Sequence, residues 1–143
     1  MAIGVTEALV KFTSGITFKK LPANVVHETK RILLDIIGCA LGAVDLDKGR
    51  ISVDLAKDLA GKPEATILGS RDKVASTNAA FANAELMHAM DYDPLLPPGH
   101  VSPFVTSAPL ALAESRSASG KTLLTAVTIA QQPELRHQLL LLT

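Results

Sequence analysis

The stretch NVVHETKRILLDIIGCALGAV, Asn24 to Val44, decides the fold. Val25, Val26, Thr29, Ile32, Leu33, Ile36, Ile37, Ala40 and Leu41 recur at three- and four-residue spacing, which draws one apolar stripe along a helix. His27, Glu28, Lys30 and Arg31 give the first half a wet face, whereas the second half, IIGCALGA, is apolar nearly all round. A helix of that kind drives its second half into the centre of a bundle. Gly38 and Gly42 stand four apart, and in a soluble bundle that spacing predicts a tight helix crossing. The longest apolar run, Ile36 to Val44, falls well short of the ~20 residues that span a bilayer.

Outward from this helix the same periodicity continues. Toward the N-terminus, Pro22 is placed for the first turn of the long helix. Val5 to Gly15 reads as a short amphipathic helix with Val5, Leu9, Val10 and Phe12 on its apolar side. Toward the C-terminus, Asp45 to Arg50 reads as a polar loop. Ile51 to Leu59 reads as a helix stopped by Gly61 and Pro63. Ala65 to Leu68 is a strand-like run and Arg71 to Lys73 a turn. A further helix is expected from Ser76 to about Met90. The three prolines and glycine of Asp91 to Gly99 then impose a loop. Ser102, as N-cap, and Pro103 open the next helix, which runs to about Ser117. After the break at Ser119-Gly120, Lys121 to Leu142 is helical with a kink at Pro133. The expectation is a mainly α, bundle-like domain over residues 1–143, with five or six helices and one short strand.

Composition narrows the function. Of 143 residues, 48% are hydrophobic but only 3% aromatic, so Ala, Leu, Val and Ile must fill the core. Small side chains let helix axes approach closely. Fourteen basic and fourteen acidic residues cancel, no basic stripe stands out, and one Tyr with no Trp leaves little to stack on bases. This argues against nucleic-acid binding. Zero net charge and positive mean hydropathy point to surface left for a partner, including another copy of the chain. The single cysteine, Cys39, lies in an apolar run; it supports neither a disulfide nor a CxxC metal site and reads as inert packing. The N-terminus lacks the pattern of a signal peptide, so the expected compartment is the cytosol.

Chemistry concentrates in HAMDYDPLLPPGHVS, His88 to Ser102. His88 and Asp91 stand three apart at a helix end and can share a face. Asp93 follows, and His100 closes a loop that prolines stiffen. Imidazole titrates near neutrality and a carboxylate beside it favours the charged form, a pairing suited to general acid–base work. Two other readings compete. In one, Asp91 and Asp93 cap loop N–H groups while the histidines merely pack. In the other, His88, Asp91 and His100 bind a metal, although their spacing matches no familiar metal motif. Ser119-Gly-Lys-Thr122 mimics the end of a phosphate-binding loop, but Ser115 stands where that motif needs glycine and no strand precedes it.

Several ordered segments resemble the MmgE/PrpD family. Phe81 to Asp93, FANAELMHAMDYD, is similar to its FANG pattern followed by a histidine and an acidic LDYDD-like box; His100-Val-Ser102 resembles its HPS. Leu34 to Gly42 resembles its LLDxxGxxLxG helix, and Glu64 to Gly69 its short strand. Ala111 to Glu114 with Ala118 to Leu124 resembles its ALAE…ASGxxLL stretch. The resemblance implies a large helical domain, here partial and without the family's smaller α+β domain. It also implies a lyase that dehydrates or decarboxylates a small polycarboxylic acid with no metal or organic cofactor, usually as a homodimer. It places Asp91 and His100 in the catalytic role, with His88, Asp93 and Ser102 near the substrate. The chain departs from the pattern at Pro94 and Leu95, which replace an acid and a threonine, and at Val101, which replaces a proline. At Gln131 and Gln132 it lacks a tyrosine–glutamate pair. The expectation is therefore a truncated lyase; the alternative is an inactive helical module that acts only in folding or self-association.

Overall fold

The structure, a computed structural model, describes residues 4–95 and 99–131. The long apolar stripe forms α2 (Ala23–Gly42). Pro22 stands just before it as N-cap, one position earlier than expected, because its extended ψ of 147° lies outside the helix. Thr29, Ile36, Cys39 and Ala40 face the core, but Leu34 and Leu41 are 76% and 50% exposed. The second half of α2 is thus covered on one side only. The expected glycine crossing does not form among the described residues. A Cβ on Gly38 would meet nothing within 4 Å, and one on Gly42 would meet only the Met90 side chain, at 3.2 Å. The first helix, α1 (Val5–Ser14), also departs from expectation, since Val10 and Phe12 of its apolar side remain exposed. A single 3-10 turn (Phe18–Lys20) links it to α2.

The expected loop after α2 is shorter than predicted, because α3 (Asp47–Leu59) begins one turn earlier. Asp47 suits the positive end of the helix and pairs with Arg50 at 2.6 Å. Gly49 lets this turn pass close to α2: an added Cβ would overlap the Ala43 carbonyl oxygen and press on Leu86. The strand-like run shrinks to β1 (Ala65–Thr66), paired antiparallel with β2 (Lys73–Val74), so Lys73 belongs to a strand rather than to the turn. Gly69, at φ +75°, makes the reversal possible. Ser70 Oγ tightens it by donating to Asp72 Oδ2 at 2.8 Å while accepting the Asp72 N–H.

The next helix, α4 (Ser76–His88), occupies the middle of the molecule, packed against α2, α3 and α5 (Ser102–Ser115). Ala79, Ala82 and Ala84 permit this close packing, and Leu86 and Met87 fill the core beside Ile36, Ala40, Ala43 and Ile67. Asn83, buried in α4, accepts the Leu68 N–H at 2.8 Å and donates to the Thr66 carbonyl at 3.0 Å, satisfying strand backbone that would otherwise be orphaned. From α5, Glu114 accepts the Thr66 N–H and hydroxyl at 2.7 and 2.6 Å and the Lys73 ammonium at 2.8 Å, pinning the hairpin. The N-cap of α5 is Val101, so Ser102 lies inside the first turn and makes no cap. The last described helix, α6 (Gly120–Gln131), is capped by Ser119 Oγ, which accepts the Thr122 N–H, and is tied to α2 by a buried 2.8 Å bond between Thr128 and Thr29. The kink expected at Pro133 lies outside the described residues. No described helix is long and apolar enough to cross a membrane.

Candidate functional site

The chemistry-bearing loop begins where α4 ends at His88. The chain reverses through Asp91, whose φ of +53° lies in the left-handed region and whose N–H donates to the His88 carbonyl at 3.0 Å. Aspartate tolerates that conformation better than most residues, because its short polar side chain bonds locally. The turn carries Asp93 into the molecule, where its side chain is completely buried.

Asp93 is the hub. Its Oδ1 lies 2.9 Å from His88 Nδ1, and its Oδ2 lies 3.1 Å from His100 Nδ1. The opposite nitrogen of His100, Nε2, lies 3.4 Å from Asp91 Oδ1. The two imidazoles stand 5.2 Å apart between ring centroids, and Phe104 from the first turn of α5 meets His88 edge-on at 5.4 Å. The imidazoles are partly open to solvent, at 24% and 30% exposure, and Asp91 is 76% exposed. A dry carboxylate thus backs two half-wet rings, with a second carboxylate on the solvent side. Among the described residues, no lysine or arginine pairs with Asp93; its side-chain partners are the two imidazoles. Burial pushes the Cys39 thiol up from its ordinary pKa, and the charges of Asp35 and Asp93 push it further, which makes Cys39 a poor nucleophile here.

His88, Asp91, Asp93 and His100 therefore converge. The pairing differs from the helical expectation, since His88 meets Asp93 rather than Asp91. The fifth candidate, Ser102, is fully buried and donates to Gln131 Oε1 at 3.2 Å; the Gln131 amide in turn donates to Thr106 Oγ1 at 3.1 Å. This bond links the start of α5, two residues after His100, to the end of α6. Gln131 and Phe104 were not singled out from the residues as site neighbours. Gln131 carried a signal, as the first polar amide after an apolar run in α6; Phe104 carried none. Beside the loop, Pro94 helps to line a groove of about 450 Å³ with Glu28, Arg31, Ile32, Leu34 and Asp35.

Residues 7–139 match the family model described as the MmgE/PrpD N-terminal domain. Among curated proteins, human cis-aconitate decarboxylase is 30% identical over 145 aligned residues, and its mouse counterpart is 28% identical. Each alignment covers 96% of this chain and 30% of the relative, so the chain spans about a third of the length of those relatives.

Proposed function

Since this chain belongs to the MmgE/PrpD family, we propose that it carries the acid–base centre of a lyase acting on a small polycarboxylic acid. The observation that carries this reading is the hydrogen-bonded chain from His88 through buried Asp93 to His100, with Asp91 beside the outer nitrogen of His100. His100 exchanges the proton. Asp93 holds its Nδ1 edge, which leaves Nε2 facing Asp91 and solvent. Asp91 stabilises the imidazolium when it forms. In a dehydration, the base takes a proton next to a carboxylate as the hydroxyl leaves with a proton from an acid. In a decarboxylation, the electron pair of the broken C–C bond stays on carbon as carbon dioxide departs, and an imidazolium proton quenches it. The names of the two relatives favour decarboxylation of cis-aconitate.

A polycarboxylate also needs cations around it. Arg31, in the neighbouring groove, is already paired with Glu28 at 2.9 Å, so on this reading the clamps come from further sequence or a second subunit. A homodimer in the cytosol fits that arrangement. The decisive assay supplies cis-aconitate and 2-methylcitrate to this chain, and to a longer form carrying it, with and without His100→Ala. Loss of at least ~100-fold in turnover is expected in the variant; equal turnover rejects the assignment.

A second reading has its own support. Leu34 and Leu41 of α2 and Ile51, Leu55 and Leu59 of α3 are all exposed, which suits a helical module that associates and does no chemistry. A clean monomer in sedimentation at high concentration would count against association, and turnover by the 143-residue chain would count against inactivity.

A further inference from the structure

The same three inner groups have a capacity that acid–base chemistry does not use. We propose that His88, Asp93 and His100 form a three-ligand site for a divalent transition-metal ion, with zinc the best match to two imidazoles and a carboxylate. This inference goes beyond the lyase reading and does not depend on it.

Each of the three residues offers a ligand atom, and all three atoms lie within 4.8 Å of one another. Both rings already meet the carboxylate, His88 Nδ1 at 2.9 Å from Oδ1 and His100 Nδ1 at 3.1 Å from Oδ2. Zinc–ligand bonds of ~2.0–2.1 Å put tetrahedral ligand atoms about 3.3 Å apart, so modest rotations of the imidazoles close the set. The carboxylate is wholly buried, and among the described residues it has no permanent cation, so a bound ion would neutralise a charge that is otherwise costly to keep dry. The outer contact is also in place. Histidine ligands generally give their second ring N–H to a carboxylate, and His100 Nε2 already points at Asp91 Oδ1, 3.4 Å away. When the ion takes both Nδ1 atoms, each neutral ring moves its proton to Nε2, and at His100 that proton meets Asp91. The partial exposure of both rings leaves the fourth position to water or an anionic ligand. Asp91, named in the metal reading of the sequence, moves to this outer role, and Asp93 replaces it as ligand.

The ion also makes a prediction about the lyase reading. It occupies the edges of both imidazoles that face Asp93 and locks the tautomer of His100, so zinc should suppress any turnover that depends on that residue.

The test titrates zinc chloride into the metal-stripped 143-residue chain by calorimetry and follows cobalt chloride by its visible absorption. About one ion per chain is expected, with the intense cobalt band of a four-coordinate site. His88→Gln and His100→Gln should each weaken binding by ~100-fold or more while keeping helical circular dichroism, and Asp91→Asn by ~10-fold. His27→Ala and His137→Ala should bind like the parent. Asp93→Asn should abolish the cobalt band. If that variant loses its fold, the two glutamine variants decide. The proposal is overturned by absence of stoichiometric uptake, by uptake unchanged in His88→Gln and His100→Gln, or by uptake lost in the His27 or His137 variants. Failure here leaves the His100→Ala turnover assay untouched, so the two readings fall separately.

Discussion

Asp93 should be the costliest polar residue of the loop to remove. Its carboxylate is fully buried and bonds two imidazoles, at 2.9 and 3.1 Å. A hydrogen bond to a charged group contributes ~1.5–3 kcal/mol, so two set a ceiling of roughly 3–6 kcal/mol. Two effects reduce it. The wild-type chain already bears the cost of drying a charge, and the half-exposed rings can turn to water once released. Asp93→Ala should therefore destabilise by about 3 kcal/mol. Asp93→Asn keeps the shape, accepts from one ring through its carbonyl and donates to the other through its amide if that ring shifts tautomer, so it should cost only about 1–2 kcal/mol. Urea unfolding followed by circular dichroism reads both as drops in midpoint at unchanged slope. If Asp93→Ala unfolds within ~0.5 kcal/mol of the parent, as a neutral surface change would, the hub role of Asp93 is wrong.

Glycine-to-alanine changes should split by sign. Gly38→Ala, in mid-helix with open space around its Cβ, should stabilise by ~0.5–1 kcal/mol, whereas Gly49→Ala should destabilise by ~1–3 kcal/mol, since its Cβ overlaps the Ala43 carbonyl; thermal melts of the two variants check both. Glu114 sets an acid-side stability limit. Burial raises its pKa, but the bonds from Lys73 and Thr66 and the Lys73 charge outweigh that and hold it below the usual range. A depressed carboxylate stabilises fully above the unfolded value near ~4.3 and ceases to do so as pH falls through the folded value, so Glu114→Gln should flatten the loss of melting temperature in that acid window. Cys39 should react with a thiol reagent only on unfolding, because it is buried and its thiolate is disfavoured by burial, Asp35 and Asp93; rapid labelling of the native chain would contradict the packing around α2.

The parts of this molecule that were legible in the sequence are those set by periodicity and by chain-breaking residues. The nine-residue stripe of α2, the proline-rich loop after His88 and the Ser119-Gly120 break needed only local rules. What escaped was set by tertiary approach. The first turn of α3 looks polar enough for a loop, yet Gly49 lets it tuck against Ala43, and no local pattern encodes that. The short strand β2 exists because Asn83 and Glu114, distant in sequence, satisfy and pin its partner β1. Leu41 obeys the helical stripe but stays wet, since periodicity says which residues share a face and not whether anything covers it. In the loop, residue types pointed to four side chains that the structure brings together. The pairing among them depended on the left-handed turn at Asp91, which redirects the chain before Asp93.

That turn also divides the labour between two aspartates of equal charge. Asp93 is sealed away from solvent and Asp91 is 76% exposed. A small acid arriving from solvent would meet Asp91 and the Nε2 edge of His100 before the Asp93 carboxylate. On the proposed reading, Asp93 therefore acts as a positioning residue, fixing the ring from its Nδ1 edge. Asp91 can act in the reaction itself. Loss of Asp93 should appear first as loss of stability, while loss of Asp91 should leave stability nearly intact and lower kcat. The two halves of the acidic box should thus separate in experiment, although their residue types are identical.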